Sequence, residues 1–312
     1  MSTSDTLVIA TKDRPDDLRV LLALLASGTR VPQKVLVIDA GNDERAMRVC
    51  REAAAKAHLL GRLVYVRARR AGLPSQRNEA LEMLGTDLVH FLDDDSRPAL
   101  SYFETVVDFF ERDVARRVGG VTGLVTNPVT QRRCGLLHRV FLLAPEQGTL
   151  NGAGRNAVVR TGTVPFQVDC LSGCSMSFRR EVFERLRFDE SLERGLTGGY
   201  ALGEDLDLSL RLRPTWQSWC LPAAQLRHEE SPVNRSKRVQ YDRAASAFRR
   251  RLAEDPSTPV RWHLFWWSTV GDVALSAANR LVGRDPDGLR VAAAKMRGAV
   301  EGQPSRDRTD PT

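Results

Sequence analysis

Short apolar runs alternate with helix-length segments through the first 126 residues. The runs are rich in branched residues and too short for helices, which is typical of buried strands; they are Leu7–Ala10, Val35–Ile38, Leu63–Val66 and Leu88–Leu92. Amphipathic segments separate and follow them, at Asp16–Ala26, Asn42–Leu59, Pro74–Leu84 and Pro98–Arg112. This alternation predicts an α/β fold: a mostly parallel central sheet, Rossmann-like in its right-handed crossovers, with helices on both faces.

Polar residues follow each of the four predicted strands. They are Thr11-Lys12-Asp13, Asp39-Ala40-Gly41-Asn42-Asp43, Arg69-Arg70-Ala71-Gly72 and Asp93-Asp94-Asp95. Ligands of such sheets bind at the carboxyl ends of the strands, so these residues outline a candidate site. Neither a GxGxxG nor a GxxxxGK[ST] motif is present, which argues against a dinucleotide-binding fold and a P-loop NTPase.

The second half of the predicted catalytic region is less regular. Residues 127–168 contain Gly, Pro, Asn and Arg without clear periodicity, which predicts a long loop excursion. A glycine-rich loop, Gly195–Gly203, leads into a helix with the sequence GEDLDLSLRLR. The other expected elements are regular structure at Cys170–Phe178, a helix at Arg180–Leu186 and a strand at Ser218–Leu221.

The sharpest chemical feature is the run of three aspartates that ends the fourth strand. Carboxylates this close repel one another, and a bound cation relieves that repulsion. Hard divalent cations such as Mg2+ or Mn2+ take oxygen ligands and commonly bind carboxylates together with substrate phosphates. The competing interpretation is a solvated turn in which Ser96 caps the next helix and Pro98 lies just inside it.

Three further motifs are candidate site residues. Glu204 and Asp205 lie where a glycine-rich loop meets a helix, and a carboxylate there could act as general base, although the helix dipole alone favours acids in a first turn. Arg77 lies near a helix start and suits bidentate contact with phosphate. His228 follows the strand predicted at Ser218–Leu221, where a structural role is the alternative.

The order of these segments resembles the family 2 glycosyltransferases of the GT-A fold. The likeness covers about residues 5–230. Six segments carry it: TKDRPDDLRVLL, VLVIDAGNDE, GLPSQRNEAL, FLDDDSRP, SGCSMSFRREVFERLRFDESL and GEDLDLSLRL. The resemblance implies an inverting transferase that uses a nucleoside-diphosphate sugar, and it leaves the sugar open.

The resemblance also implies roles for single residues on the donor side. Thr11 and Asp39 match residues that hold the base and ribose, and Arg77 matches an arginine near the base and diphosphate. Asp93 and Asp95 match the ends of the DxD motif, in which the first aspartate leans toward the ribose and the last binds the metal.

Four other matches concern the sugar, the acceptor and the metal. Asp205 matches the catalytic base that deprotonates the acceptor hydroxyl, and Glu204 helps to shape the acceptor site. Gly173 lies in the segment that lines the donor sugar, and His228 matches a downstream position that in some relatives approaches the metal or diphosphate. One departure is the run Asp39-Ala40-Gly41-Asn42 where the family has D-D-G-S, which puts the selectivity for the donor base in doubt.

The C-terminal region carries most of the positive charge. The chain has 46 Lys and Arg against 39 Asp and Glu, and residues 233–312 contain fifteen of the basic residues against nine acids. The excess is local, which argues against general nucleic-acid binding. Arg249-Arg250-Arg251 precede Trp262, Phe265, Trp266 and Trp267, a combination that suits an anionic membrane surface; the alternative is packing on the catalytic domain.

These observations predict a catalytic domain at 1–232, a helical, basic and aromatic extension at 233–301, and a disordered tail at 302–312. The five cysteines contain no CxxC pair and no secretory signal is apparent, which favours a cytoplasmic protein. The inner face of the cell membrane is a candidate location. The expected acceptor is a cell-envelope glycan or a lipid-linked molecule. The rival function is a non-catalytic membrane- or glycan-binding protein on the same fold. A haloacid-dehalogenase-type phosphatase is disfavoured, because Arg97 lies where its motif needs Thr or Val.

Overall fold

The computed structural model describes residues 3–55, 58–127, 135–194, 202–229 and 238–302. In that part of the chain a nine-stranded sheet has the order β3-β2-β1-β4-β8-β6-β9-β5, with β7 paired to β9. Six strands run in one direction and β5, β7 and β8 run against them, so the mostly parallel sheet is confirmed. The strands are β1 Asp5–Thr11, β2 Lys34–Asp39, β3 Leu63–Arg67, β4 Leu88–Asp93, β5 Ser96–Pro98, β6 Val118–Val125, β7 Phe166–Gln167, β8 Ser175–Arg179 and β9 Gln217–His228.

Helices cover both faces of this sheet. They are α1 Pro15–Ser27, α2 Arg45–Ala54, α3 Leu73–Leu81, α4 Tyr102–Arg112, α5 Leu136–Val140 and α6 Glu204–Leu212, with 3-10 helices at Arg180–Glu184 and Glu190–Arg194. One core contains residues of α1, α2 and α4, and the other contains residues of α3 and α6. Successive residues of β1 alternate between the cores, because side chains of a strand point to opposite faces: Leu7 and Ile9 join the first and Val8 the second.

The first four strands begin and end within three residues of their predicted bounds, but the segment after β4 was wrongly assigned. Residues expected to begin a helix at Pro98 instead form β5, and α4 begins at Tyr102. Two further helices are shorter than expected: α2 spans Arg45–Ala54, and Arg180–Glu184 is a 3-10 helix. Buried cysteine thiols at Cys50, Cys170, Cys174 and Cys220 are free.

Among the described residues after β9 there are three helices: α7 Arg238–Glu254, α8 Trp262–Leu281 and α9 Gly288–Glu301. They share a buried cluster with the first part of the chain, in which Phe248, Leu252 and Phe265 pack with Leu192 and Leu206. No helix in the described ranges is long and apolar enough to cross a bilayer. Most of the predicted Gly195–Gly203 loop, the start of the basic stretch and the tail from residue 303 lie outside the described residues.

Arg249, Arg250 and Arg251, predicted as part of a surface for an anionic membrane, lie on α7, where two of them form ion pairs within the protein. Arg251 is largely buried and forms a salt bridge with Asp189. Arg250 binds Glu254, with Nε and Oε1 2.7 Å apart. Arg250 and Arg251 are therefore each paired with a carboxylate of the protein.

Candidate active site

The acidic turn and His228 are brought together by a short pair of strands. Asp93 is the last residue of β4, and β5 begins three residues later. Strand β5 pairs antiparallel with the end of β9, so that Ser96 lies opposite His228. Asn127 fixes this strand end: its Oδ1 accepts a hydrogen bond from the His228 N–H (2.7 Å), and its Nδ2 donates to the His228 carbonyl (2.6 Å). The histidine ring is thereby held beside the aspartates.

Asp93, Asp95 and His228 form a group that could hold a metal ion. One ligand atom from each lies within 4.8 Å of the other two. His228 Nε2 is 2.9 Å from Asp95 Oδ1 and 3.6 Å from Asp93 Oδ2. Oδ1 of Asp95 is buried and accepts no well-formed hydrogen bond from the described residues. Two carboxylates and one imidazole, with an unsatisfied oxygen among them, fit a hard divalent cation.

Arg14 binds the other side of the acidic turn, and sequence reasoning missed it. Its NH1 donates to Asp94 Oδ1 and its NH2 to Asp95 Oδ2, both at 2.7 Å. Burial raises the pKa of Asp94 to about 7, against the opposing charge of Arg14. Burial also acts to raise the pKa of Asp95, but His228 and Arg14 outweigh it and lower that pKa. The position of Arg14 just after β1, at the carboxyl edge of the sheet, was the available signal.

Arg77 connects the acidic turn to the start of α6. Its guanidinium is buried and donates to Asp93 Oδ1 (3.1 Å), Glu204 Oε1 (3.2 Å) and the Gly173 carbonyl (2.9 Å). The guanidinium also lies 5.3 Å from the centre of the Phe188 ring. Arg77 is therefore a link between two acidic groups, and its predicted contact with base and diphosphate stays a prediction.

Asp205 is held by backbone donors at the first turn of α6. Its Oδ2 accepts from the Gly173 N–H (3.0 Å) and its Oδ1 from the Leu206 N–H (2.8 Å). Burial raises the pKa of Asp205, and these backbone hydrogen bonds partly offset the effect. Burial and the charge of Asp205 raise the pKa of Glu204 to about 7. A carboxylate whose pKa is raised in this way is suited to accept a proton from a bound hydroxyl.

Thr11 and Asp39 lie at the carboxyl ends of neighbouring strands, as expected. Thr11 Oγ1 donates to Asp94 Oδ2 (2.7 Å), and Asp39 accepts from the Gly41 N–H (2.7 Å) and the Tyr65 hydroxyl (2.8 Å). Both side chains are buried. Their predicted contacts with a base and ribose remain predictions.

Helix α7 approaches the same region, which the sequence did not indicate. A Cβ on Gly203 would lie 2.5 Å from the Phe248 ring, so α7 packs closely on the residue before α6; Gly203 itself has φ +87°, which favours glycine. Partial burial and the charges of Asp205 and Asp242 raise the pKa of the Tyr241 phenol. Tyr241 is therefore within electrostatic reach of the predicted catalytic base.

Comparisons with known proteins agree with this geometry. The family model described as glycosyltransferase like family 2 matches residues 6–261, so the chain belongs to that family. No curated protein matches the chain. A mannosyltransferase from Pyrobaculum calidifontis, solved with GDP-Man and Mn2+, has a TM-score of 0.62 at 15% identity, over 96% of this chain and 87% of its own.

Two other solved structures are similar over part of their length. GalNAc-T7, solved with UDP, GalNAc and Mn2+, has a TM-score of 0.55 at 14% identity, over 86% of this chain. S. aureus TarS has a TM-score of 0.50 at 13% identity, over 94% of this chain. The matches span 54% and 55% of those two chains. These neighbours are GT-A glycosyltransferases, so the predicted GT-A fold is confirmed.

Proposed function

We propose that this protein is an inverting glycosyltransferase that moves a sugar from a nucleoside-diphosphate sugar to a hydroxyl of a glycan or lipid-linked acceptor. The observation that carries the proposal is the buried side chain of Arg77, which joins the DxD carboxylate Asp93 to Glu204 beside Asp205. A candidate metal site and a candidate base are thereby parts of one site. The neighbours solved with GDP-Man or UDP and Mn2+ support the donor class.

In this proposal Asp93, Asp95 and His228 hold a divalent cation, either Mg2+ or Mn2+. When bound, the cation would neutralise negative charge on the leaving nucleoside diphosphate. Thr11 and Asp39 would bind the nucleoside part, and Gly173 would line the sugar. Arg77 holds Asp93 and Glu204 in place.

Asp205 takes the proton of the acceptor hydroxyl. The acceptor oxygen then forms its bond to the anomeric carbon from the face opposite the diphosphate. The bond between that carbon and the diphosphate oxygen breaks, and its electron pair leaves with the nucleoside diphosphate. Because attack and departure occur on opposite faces, the configuration at the anomeric carbon inverts. Glu204 shapes the acceptor side of the site.

A thermal-shift panel of UDP-, dTDP- and GDP-sugars, each with and without Mn2+, tests the donor and metal parts of the proposal. A ligand that binds only the folded protein at a hundredfold excess over Kd adds about 2.7 kcal/mol to the free energy of unfolding. We expect one base to give a shift that needs Mn2+, and the shift to disappear in Asp95→Ala. If no donor gives a shift, the non-catalytic binding function is favoured instead.

We further propose that α5 and α8 bind an anionic bilayer, near a lipid-linked acceptor. The outward stripe of α8 is apolar over four turns, at Trp267, Val270, Ala274, Ala278 and Leu281. The Trp267 indole N–H donates to the Val140 carbonyl (2.8 Å), so α5 lies against this stripe. Leu136, Leu137 and Val140 of α5 are also exposed. This apolar stripe suits the headgroup boundary of a membrane.

Charge favours an anionic lipid surface. Exposed basic residues flank the stripe, namely Arg139, Arg261, Arg280 and Arg284. Asp272, the acid within α8, is largely buried and binds Arg155. Flotation with phosphatidylglycerol vesicles should carry the wild type upward and leave Leu136→Ser/Trp267→Ser in the bottom fraction. The matched control is Leu60→Ser, because Leu60 is also a largely exposed apolar residue but is remote in sequence from α5 and α8. Equal flotation of the wild type, the double variant and the control would contradict the membrane proposal.

A further inference from the structure

Arg249 of α7 carries a charge that the surrounding residues do not neutralise. Its side chain is half-buried, and its NH2 donates to Ser246 Oγ (2.8 Å), a neutral partner one turn away. Within the described parts of the chain, no carboxylate lies within salt-bridge distance of Arg249. Burial and the neighbouring charge of Arg155 lower the pKa of Arg249 to about 9, so it stays protonated at neutral pH but in an unfavourable setting.

The nearby carboxylates already have other partners. Asp272 binds Arg155 NH2 and Lys295 Nζ, each at 2.7 Å, and Asp242 lies 3.7 Å from the same Lys295 nitrogen. Three cations, Arg155, Arg249 and Lys295, thus face two carboxylates. An excess of positive charge in such a partly buried cluster is unfavourable unless an anion balances it.

The helix that carries Arg249, α7, packs on the start of α6 at the edge of the active site. Phe248, the residue before Arg249, packs on Gly203 at the start of α6. The aliphatic part of Arg249 lies about 3.4 Å from the position that a Cβ would take on Gly154, next to Arg155. The pKa of the Tyr241 phenol responds both to Asp205 and Glu204, which raise it, and to Arg249, which lowers it. The Tyr241 phenol is therefore within electrostatic reach of both Arg249 and the candidate base Asp205. Its side chain is 47% exposed, so a ligand can reach it.

We propose that Arg249, supported by Arg155 and flanked by Tyr241, binds a phosphate group of the acceptor. The inference rests on the proposed transferase function, because that function assigns the donor diphosphate to the separate cluster of Asp93, Asp95 and His228. A planar guanidinium binds two phosphate oxygens at once, which suits a phosphate monoester or diester. Such a group occurs on a lipid carrier or on a phosphorylated glycan.

Binding of two phosphate probes in EDTA tests the inference without using the donor or metal. The probes are geranyl phosphate, for the lipid source, and glycerol 3-phosphate, for the glycan source, titrated by calorimetry. Arg249→Gln should weaken binding of the preferred probe by about tenfold to a hundredfold, since it removes a charge-assisted contact. Arg249→Lys, which keeps the charge and loses the planar fork, should give an intermediate affinity. Arg290→Gln is the matched control, because Arg290 is 82% exposed on α9.

Tighter binding of geranyl phosphate would assign the lipid source, and tighter binding of glycerol 3-phosphate would assign the phosphorylated glycan. No binding by the wild type, or equal affinity in Arg249→Gln, would overturn the proposal. Hydrogen exchange on the wild type covers the case in which Arg249→Gln does not fold: the preferred probe should slow exchange in 241–249, and unchanged exchange there would also overturn it. Because EDTA removes the metal, a failure of phosphate binding here can be told apart from a failure of donor binding in the thermal-shift panel with Mn2+.

Discussion

Nε2 of His228 lies 2.9 Å from Oδ1 of Asp95, because Asp95 immediately precedes β5, whose first residue Ser96 lies opposite His228 at the end of β9. The contact joins an imidazole to a buried carboxylate oxygen that lacks a well-formed hydrogen bond. Because the backbone of His228 is clamped by Asn127, the ring has little freedom to move away. This arrangement makes the metal-binding role of His228 testable by itself.

His228→Ala should weaken Mn2+ binding by at least about tenfold and leave the fold intact, because it removes one of three candidate ligands from a preformed site. The measurement is a Mn2+ titration followed by calorimetry, with a nucleoside diphosphate present. His263→Ala is the control, since His263 is exposed at the start of α8. A Mn2+ affinity in His228→Ala equal to that of the wild type would remove His228 from the ligand set.

Asp205→Asn should keep donor binding and lose most of the turnover. The amide fills the same space as the carboxylate, but it cannot take the acceptor proton, and a positioned base contributes about 10²–10⁴-fold to the rate. Donor Kd and kcat measured on the same preparation separate the two effects. Asp207→Asn is a useful comparison, because Asp207 lies on the same helix and binds Arg211. Wild-type turnover in Asp205→Asn would exclude Asp205 as the base.

Activity should fall as the pH is lowered, with an inflection above the ordinary range for an aspartate. Burial raises the pKa of Asp205, and only its deprotonated form accepts the acceptor proton, so acidification through that raised pKa removes the base. Glu204→Gln should leave the inflection in place, because the charge of Asp205 raises the pKa of Glu204, so Glu204 is still protonated while Asp205 loses its proton. The measurement is kcat/KM against pH for both proteins; an inflection that moves in Glu204→Gln would show that Glu204 rather than Asp205 sets the profile.

The sequence predicted the parts of the fold that depend on local pattern. The strands β1 to β4 are continuous apolar runs, and their polar ends do converge on one edge. The segment Ser96–Pro98 forms a strand, although the sequence predicted a helix start there, because proline after polar residues is common at the first position of a helix. The segment is a strand because it pairs with β9, which lies far along the chain. Long-range pairing also decides which residues complete the site, so the contacts of Arg14 with Asp94 and Asp95 were not predicted.

Arg77→Met should lower the free energy of unfolding by about 3–5 kcal/mol at neutral pH, because Glu204 and Asp93 would lose the buried cation between them. The loss should shrink on acidification, since Glu204, with a pKa already raised to about 7, then becomes protonated and no longer needs a partner. Urea unfolding at pH 8 and pH 6 measures both effects. The matched control is Arg69→Met, an arginine 69% exposed and paired with Glu82, where exposed ion pairs contribute about 0–1 kcal/mol. If Arg77→Met and Arg69→Met lower the free energy of unfolding by the same amount at pH 8, Arg77 does not hold the two acidic groups together.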